Sequence, residues 1–338
     1  MAGRQTNLAL LFLLLAAVAT GALNFAMGTG WAAWPTVLHG VVGLAIVLLT
    51  YWKWRIIQAG LDHHSLASAW PSIVLAVLVV VALVSGVLHA TGLALSYGPL
   101  DDMQVHVGAA LLAVPFAGWH VAARKTYPAI KDLTRRNVLR SLLLLGSAGA
   151  VYTSIEGLMS ATGLRGRRRR YTGAFEEGSH DPERMPSIIW LFDPRLDLDA
   201  ADWQLTIRKG GLTTDTLTYG DISALGDELT ATIDCTSGWY AEQDWSGVQV
   251  ARLLGELPPT TRSIVVRSQT GYTRRFPVRD LPHLLLATRY EQQPLAPRHG
   301  FPARLVAPGR RGFWWVKWVT EIEASPDPWW RQPPYPLQ

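Results

Sequence analysis

Long apolar runs dominate the first half of this 338-residue chain. Five of them have the length that a helix needs to cross a bilayer, roughly 20 residues. They cover about residues 8–27, 35–54, 71–95, 103–123 and 138–162. Residues 171–338 instead have the mixed polar, charged and turn-rich composition of a globular domain. The sequence therefore predicts a membrane module followed by a soluble one.

The basic residues flank the apolar runs and predict their orientation. Lys53 and Arg55 follow the second run, whereas the connection before the fourth run holds Asp101 and Asp102. The positive-inside rule then places the N-terminus in the cytoplasm, and a fifth span delivers the C-terminal domain to the outside. Because membrane topology explains these charges, the net charge of +5 does not indicate a nucleic-acid partner. The fourth run is followed by further bases: Arg124, Lys125, Lys131, Arg135 and Arg136.

The fifth run begins with a basic motif. Arg135 and Arg136 are followed by Asn137, Val138, Leu139 and Arg140, and then by small and apolar residues. This pattern resembles a twin-arginine export signal, which implies export of a folded, cofactor-loaded domain by the twin-arginine machinery. An ordinary membrane helix with positive charges on the inside is the alternative. Residues 165–170 add five arginines beyond this run, and we expect them to bind anionic lipid headgroups.

Histidines within the spans are functional candidates, because polar residues there are costly. His39, His89 and His106 lie at a similar predicted depth, roughly 6–9 Å below the outer boundary at ~1.5 Å per residue. Histidines of different helices at one level can ligate a haem iron from two sides. His120 follows His106 by close to four helical turns, so both imidazoles share one face about 21 Å apart.

This spacing resembles the membrane di-haem cytochrome b families, in which two helices each supply one outer and one inner histidine. The resemblance implies an outer haem b held by His39 and His106, with His89 as the competitor for either place. The chain departs from the pattern at the inner position of the second helix, which is Lys53.

An inner haem would use His120, with His63 or His64 of the connecting segment as its second ligand. The alternative for the whole module is a helical anchor in which these histidines form hydrogen bonds and no haem binds.

The single cysteine, Cys235, ends a predicted strand. A buried cysteine often behaves as a small apolar residue. If the soluble domain lies outside the cytoplasm, however, an unpaired thiol is exposed to oxidation unless it is buried or ligated. Strands are predicted at 203–208, 228–235, 263–268 and 272–278, helices at 247–257 and 279–289, and a strand-rich segment at 301–323, which together favour an α+β domain.

The order of these elements resembles the oxidoreductase molybdopterin-binding domain of the sulfite oxidase superfamily, over about residues 185–325. The resemblance implies a Mo-molybdopterin cofactor, with Cys235 as the thiolate ligand of molybdenum. It also implies that His299, Arg304 and Lys317 are cations that bind the cofactor and its phosphate. The alternative for these three is a solvated basic surface. The matching stretches are Trp203-x-Leu-x-Ile, Thr232-Ile-Asp-Cys235, Trp245-Ser-Gly-Val, Ser268-x-x-Gly-Tyr272, His299-Gly-Phe-Pro-Ala-Arg304 and Val316-Lys317-Trp318.

Sulfite oxidases carry an arginine-rich run after the ligand cysteine, and here Thr-Ser-Gly-Trp239-Tyr240 follows instead. The pattern is more similar to the bacterial periplasmic branch that includes the methionine sulfoxide reductase catalytic subunit, which works with a separate membrane haem partner. We expect Trp239 or Tyr240 near the metal. Trp245 is a further candidate for the pocket wall, and Glu242 or Asp244 for a proton donor.

The predicted architecture is an all-α transmembrane bundle of five helices followed by an α+β sulfite-oxidase-like molybdopterin domain. Its parts are a four-helix cytochrome b-like module at 1–130, a fifth helix with the export motif and basic linker at 131–170, and the extracytoplasmic domain at 171–338. The predicted function is a molybdenum-dependent oxidoreductase of the cytoplasmic membrane. It would exchange electrons between a small substrate, preferably a sulfoxide to be reduced, and quinone through haem b. The alternatives are oxidation of a small substrate, an enzyme with a haem-free anchor, and a non-catalytic binding protein that keeps the fold.

Overall fold

The computed structural model describes residues 3–61, 66–93, 100–124, 128–188, 194 and 196–336. The chain forms two compact units. Unit 1 comprises Met1–Phe25 with Gly30–Gly173, and unit 2 comprises Ala26–Thr29 with Ala174–Gln338.

Unit 1 is helical, and each of its five long helices is apolar and long enough to cross a membrane. Each helix begins before the predicted apolar run, because helices continue into the residues that flank a membrane span. The helices are α1 (Gly3–Ala26), α2 (Ala33–Leu61), α3 (Leu66–Thr91), α4 (Asp102–Arg124) and α5 (Arg135–Thr162). The prediction of an all-α bundle of five such helices is confirmed.

A small apolar core holds part of this bundle together. Leu13 of α1 and Leu49 of α2 are buried in it with Ala148 of α5. Many other large apolar side chains of the helices remain exposed, as expected for surfaces that face lipid. Helix α5 begins at Thr134, whose hydroxyl accepts the backbone N–H of Asn137.

The arginine block after α5 is divided between two environments. Arg169 is largely buried, pairs with Glu156 and donates to the carbonyl of Ala90. Arg167 and Arg168 are exposed on a short 3-10 turn. Lipid binding therefore remains a prediction for the exposed arginines, whereas Arg169 stabilises the fold of unit 1.

Unit 2 contains two β-sheets and two short helices, α6 (Tyr219–Ser223) and α7 (Val250–Leu254). One sheet has the order β3-β2-β11-β6-β7. The other follows β1-β5-β8-β10, with β4 paired to β5 and β9 paired to β8. The prediction of an α+β domain is confirmed. The strands are β1 (Phe175–Glu176), β2 (Gln204–Lys209), β3 (Leu212–Thr218), β4 (Asp227–Asp234), β5 (Trp239–Gln249), β6 (Ser263–Ser268), β7 (Thr273–Pro277), β8 (Leu285–Tyr290), β9 (Gln293–Pro294), β10 (Arg304–Val306) and β11 (Val319–Ser325).

Two helix predictions in this unit were wrong. The helix expected over 247–257 is only α7, because β5 continues through Gln249. The helix expected over 279–289 is a 3-10 turn followed by β8, which lies between β5 and β10 and is almost entirely buried. A central strand buried on both faces has a continuous apolar run, and such a run has no strand periodicity to distinguish it from a helix.

Candidate functional site

A cavity of about 130 Å³ lies beside Cys235 in unit 2. Five separate parts of the chain converge on it, at the ends of strands and in the loops that follow them. The cavity is lined by Pro186, Ser187, Ile188, Ile233, Cys235, Thr236, Trp239, Ser268, Tyr272, His299, Arg304, Gly312, Phe313, Trp315, Val316, Lys317 and Trp318.

Cys235 occupies the tight turn between β4 and β5. Its backbone N–H donates to the carbonyl of Trp239 at 2.8 Å, and its carbonyl accepts from Gly238 at 3.2 Å. The Ser237 hydroxyl lies 3.2 Å from Sγ. The turn thus presents a half-buried thiol to the cavity with a hydroxyl donor beside it, a suitable setting for a thiolate ligand.

A buried ion pair holds this turn from behind. The Arg311 guanidinium donates to the Asp234 carboxylate at 2.6 Å and to the Cys235 carbonyl at 3.1 Å. Both charged side chains are almost completely buried. A Cβ on Gly312 would lie 3.1 Å from the Cys235 Cα, so a side chain there would require the turn to shift by a few tenths of an ångström. Arg311 was not predicted, because its sequence position gives no sign that it lies against Cys235.

Arg304 is a buried cation at the start of β10, with 1% of its surface exposed. Its guanidinium carbon lies 5.2 Å from the ring centroid of Trp245 and 5.7 Å from that of Trp315. Among the described residues its side chain has no hydrogen-bond partner, and its Nε is fully buried. Burial lowers the pKa of Arg304 to about 10, so the side chain remains charged at neutral pH. Such a group is costly unless an anion satisfies it.

Lys317 reaches the same cavity from the loop before β11. Its Nζ donates to three neutral oxygens: the Ser187 hydroxyl and the Arg298 carbonyl, both at 2.9 Å, and the Ile188 carbonyl at 3.1 Å. These contacts fix the ammonium group at the cavity wall. The predicted pairing of Arg304 and Lys317 in one site is therefore consistent with the geometry.

His299 lines the cavity but is not the cation that the sequence predicted. Its Nδ1 lies 2.9 Å from the Tyr290 hydroxyl, and its Nε2 lies 3.1 Å from the Met185 carbonyl. Burial, together with the nearby charges of Arg304, Lys317 and Arg298, lowers the pKa of His299 to about 3. The imidazole is thus neutral, and its role is to hold Tyr290 and the segment at Met185.

The two predicted aromatic neighbours of the metal lie on opposite faces of β5, because side chains alternate along a strand. Trp239 is buried and lines the cavity, and its Nε1 has no acceptor among the described residues. Tyr240 is on the other face and does not line the cavity. Of the two aromatic residues expected near the metal, the structure therefore places only Trp239 beside Cys235. Trp245 is fully buried behind the cavity, where it supports Arg304.

The predicted acids also lie away from the cavity. Glu242 and Asp244 share the face of Tyr240, and both are within 4 Å of the exposed His180 ring. His180 Nδ1 lies 2.9 Å from Glu291, and this contact raises the pKa of His180. The expectation that Glu242 or Asp244 supplies a proton in the cavity is therefore corrected.

In unit 1 the structure brings His39 and His106 together. Their ring centroids are 5.7 Å apart and their planes are nearly perpendicular. His89 instead places Nε2 at 3.1 Å from the Gly173 carbonyl. At the opposite end of α4, His120 lies 2.9 Å from the Ser72 hydroxyl. His63 and His64, the predicted partners of His120, fall outside the described residues.

Comparison with known proteins supports the assignment of unit 2. Residues 193–332 match the family described as the oxidoreductase molybdopterin binding domain. Catalytic subunits of protein-methionine-sulfoxide reductase are 32% identical in Xanthomonas campestris and 30% in Xanthomonas axonopodis, and both alignments cover 36% of this chain and 44% of the relative. The chain thus spans less than half of these relatives. The sulfane dehydrogenase SoxCD of Paracoccus pantotrophus is 23% identical with a TM-score of 0.37, over 39% of this chain and 40% of that one. The predicted molybdopterin domain is confirmed.

Proposed function

We propose that unit 2, which carries an oxidoreductase molybdopterin-binding domain, is the catalytic part of a molybdenum-dependent oxidoreductase. The observation that carries this proposal is the placement of the Cys235 thiol and the unsatisfied Arg304 guanidinium in one cavity. A non-catalytic binding module has no need for a thiol and a buried cation at the same site.

The residues of the cavity fit a molybdopterin cofactor. Cys235 supplies a soft thiolate for molybdenum. Arg304 and Lys317 supply positive charge for the anionic phosphate end, and Arg304 gains there the acceptors that it lacks among the described residues. When bound, the cofactor supplies a two-electron redox centre. The protein positions the thiol and neutralises the phosphate. The buried rings of Trp315 and Trp245 keep water away from this side of the site.

For the substrate we propose a small neutral oxide, preferably a sulfoxide. No basic residue follows Cys235 in the turn, so the turn itself adds no positive charge that would attract a sulfite anion. The buried N–H of Trp239 has no acceptor among the described residues, and an oxygen of the substrate can accept it. The relatives are named for reduction of methionine sulfoxide in proteins, and this name agrees with reduction as the preferred direction.

We propose that unit 1 binds haem b between His39 and His106 and exchanges electrons with quinone. Each Nδ1 lies within hydrogen-bond distance of a backbone carbonyl, that of Ala17 for His39 and that of Ala82 for His106. A carbonyl only accepts, so each Nδ1 carries the proton and each Nε2 is the lone-pair atom. Two imidazoles in this state would each offer a lone pair to a haem iron. The helices would lie in the cytoplasmic membrane with the N-terminus inside, and the arginine motif at the start of α5 would direct twin-arginine export of unit 2.

Metal and haem analysis of the purified full-length protein tests both parts of the proposal. We expect molybdenum and a b-type spectrum in the same sample. Replacing Cys235 by serine should abolish activity and leave the haem spectrum intact. Activity that survives this change would remove Cys235 from the site, and molybdenum without haem would favour the haem-free anchor.

A further inference from the structure

Two segments of unit 1 share a local sequence pattern. Ala17-Val-Ala-Thr-Gly-Ala-Leu-Asn24 lies in α1, and Ala82-Leu-Val-Ser-Gly-Val-Leu-His89 lies in α3, each residue 65 positions later. The alanine, the hydroxyl residue before glycine and the leucine occur in the same order. Small residues in membrane helices allow another helix to approach closely, so the repeat alone predicts similar packing against α2 and α4.

The contacts of the two histidines repeat in the same way. His39 Nδ1 lies 3.1 Å from the Ala17 carbonyl, and His106 Nδ1 lies 2.7 Å from the Ala82 carbonyl. Four residues further along, a Cβ on Gly21 would lie 3.3 Å from His39 Cε1, and a Cβ on Gly86 would lie 2.9 Å from His106 Nδ1. Each ring thus packs over the equivalent glycine and faces the equivalent carbonyl.

The residues around these glycines correspond as well. Thr20 donates to the Ala17 carbonyl, and Ser85 donates to the Ala82 carbonyl, both at 3.2 Å. Asn24 and His89 are also equivalent positions. Both contact the segment that leaves α5: Asn24 donates to the carbonyl of Thr172 at 3.2 Å, and His89 Nε2 lies 3.1 Å from that of Gly173. The repeat therefore assigns His89 to holding this segment, and not to a haem.

The opposite end of the bundle shows where the repeat departs from symmetry. Lys53 of α2 and His120 of α4 lie 67 positions apart, as His39 and His106 do. Lys53 Nζ donates to the Asn7 side chain at 2.9 Å, and His120 Nδ1 lies 2.9 Å from the Ser72 hydroxyl. Asn7 and Ser72 are 65 positions apart, so these contacts are equivalent too. One of the two equivalent positions at this end is a lysine, so among the residues that the structure describes the equivalent positions bring two imidazoles together at the end where α1 joins α2.

We infer that α1–α2 and α3–α4 are two copies of one histidine-presenting hairpin, which together hold a single metal-centred group between His39 and His106. In each copy the carbonyl of Ala17 or Ala82 and the glycine four residues later position the imidazole. This inference rests on the proposed haem function of unit 1, and it adds the number of haems and the residues that orient their ligands.

The test compares equivalent substitutions in the two copies, in the full-length protein purified from membranes. In Gly86→Ala the new methyl group meets the His106 ring, and in Gly21→Ala it meets the His39 ring. We expect both variants to retain haem about tenfold less well, or to keep haem with shifted low-spin EPR signals, because the groups that contact a ligand side chain orient it towards the metal. Gly108→Ala is the matched control, because a Cβ there has no atom within 4 Å.

Milder variants keep the test decisive if the glycine variants fail to fold. Thr20→Ala and Ser85→Ala remove one hydroxyl each without adding volume, and we expect both to shift the haem midpoint potential in the same direction. At the opposite end, Lys53→Ala and His120→Ala should leave one haem per chain. EPR signals and potentials that match Gly108→Ala in all variants would overturn the positioning role, and two haems per chain would overturn the single site. Absence of b-type bands from the unmodified protein would instead remove the proposed haem function itself.

Discussion

The two candidate sites are built in opposite ways. In unit 1, His39 and His106 come from helices, and each ring is oriented by a carbonyl and a glycine on the neighbouring helix. In unit 2, Cys235, Arg304 and Lys317 come from loops and strand ends far apart in sequence. A helical pattern can repeat, and unit 1 contains its repeat. A site made from loops has no such local pattern.

The charges differ as well, and this difference decides what each site can hold. The cavity in unit 2 contains a buried cation that has no acceptor in the described part of the chain, which favours an anionic ligand. The pair in unit 1 consists of two imidazoles, each facing a carbonyl through Nδ1. Two neutral imidazoles are ligands that suit a metal rather than an anion. A substitution in one site can therefore be tested by measuring the molybdenum content of unit 2 and the haem spectrum of unit 1 together.

Arg304→Met has the largest expected effect. It should lower the molybdenum content of the purified protein about tenfold or more, because the cofactor phosphate loses its most buried cation. In protein made without cofactor the same change should be neutral or stabilising by about 1–4 kcal/mol, because an unsatisfied buried charge is replaced by an apolar group. Metal analysis and thermal unfolding measure the two effects.

Arg289→Met is the control for this change, because Arg289 is an exposed residue of β8 outside the cavity. The haem spectrum should not change in either variant. A normal molybdenum content in Arg304→Met would show that the buried cation does not serve the cofactor.

Arg311→Lys tests the ion pair behind Cys235. Lysine keeps the charge but loses the planar fork that contacts both Asp234 and the Cys235 carbonyl. We expect a several-fold faster alkylation of Cys235, the only thiol of the chain, in protein made without cofactor. The neighbouring Arg310→Lys is the control, because Arg310 pairs with Asp280 instead. Equal alkylation rates in the two variants would contradict a positioning role for Arg311.

The pH dependence of unit 2 follows from His299. Its pKa is about 3 in the folded protein and about 6.5 when unfolded, so below pH 6.5 the unfolded state binds the extra proton. Stability is therefore complete above pH 6.5 and is lost as the pH falls toward 3. His299→Gln should remove about 2 kcal/mol of the loss between pH 7 and 5 in cofactor-free protein, at 1.36 kcal/mol per unit. Denaturant unfolding at the two pH values measures it, and an unchanged pH slope would disprove the assignment.

The parts of the fold and site that could be predicted are those marked in the sequence by a local pattern or by motifs in a fixed order. Apolar length predicted the five helices, and the order of motifs predicted the molybdopterin domain with Cys235 and Arg304. The neutral state of His299 could not be predicted, because it depends on Met185 and Tyr290, which the fold brings to the ring. The position of Tyr240 could have been predicted, because side chains alternate along a strand and Tyr240 therefore lies on the opposite face from Trp239.

The smallest expected effect concerns His180, whose pKa is shifted in the direction opposite to that of His299. It is exposed, and its contact with Glu291 raises its pKa. Its contribution to stability is therefore fully present below its unfolded pKa and is lost as the pH rises through the folded one. Glu291→Gln should lower the pKa of His180 toward its ordinary value, as measured by NMR titration, while molybdenum content and haem spectrum stay constant. A change in molybdenum content would show that this face of β5 is coupled to the cavity. His180 would then belong to the same functional site as the buried His299, and not to an independent surface.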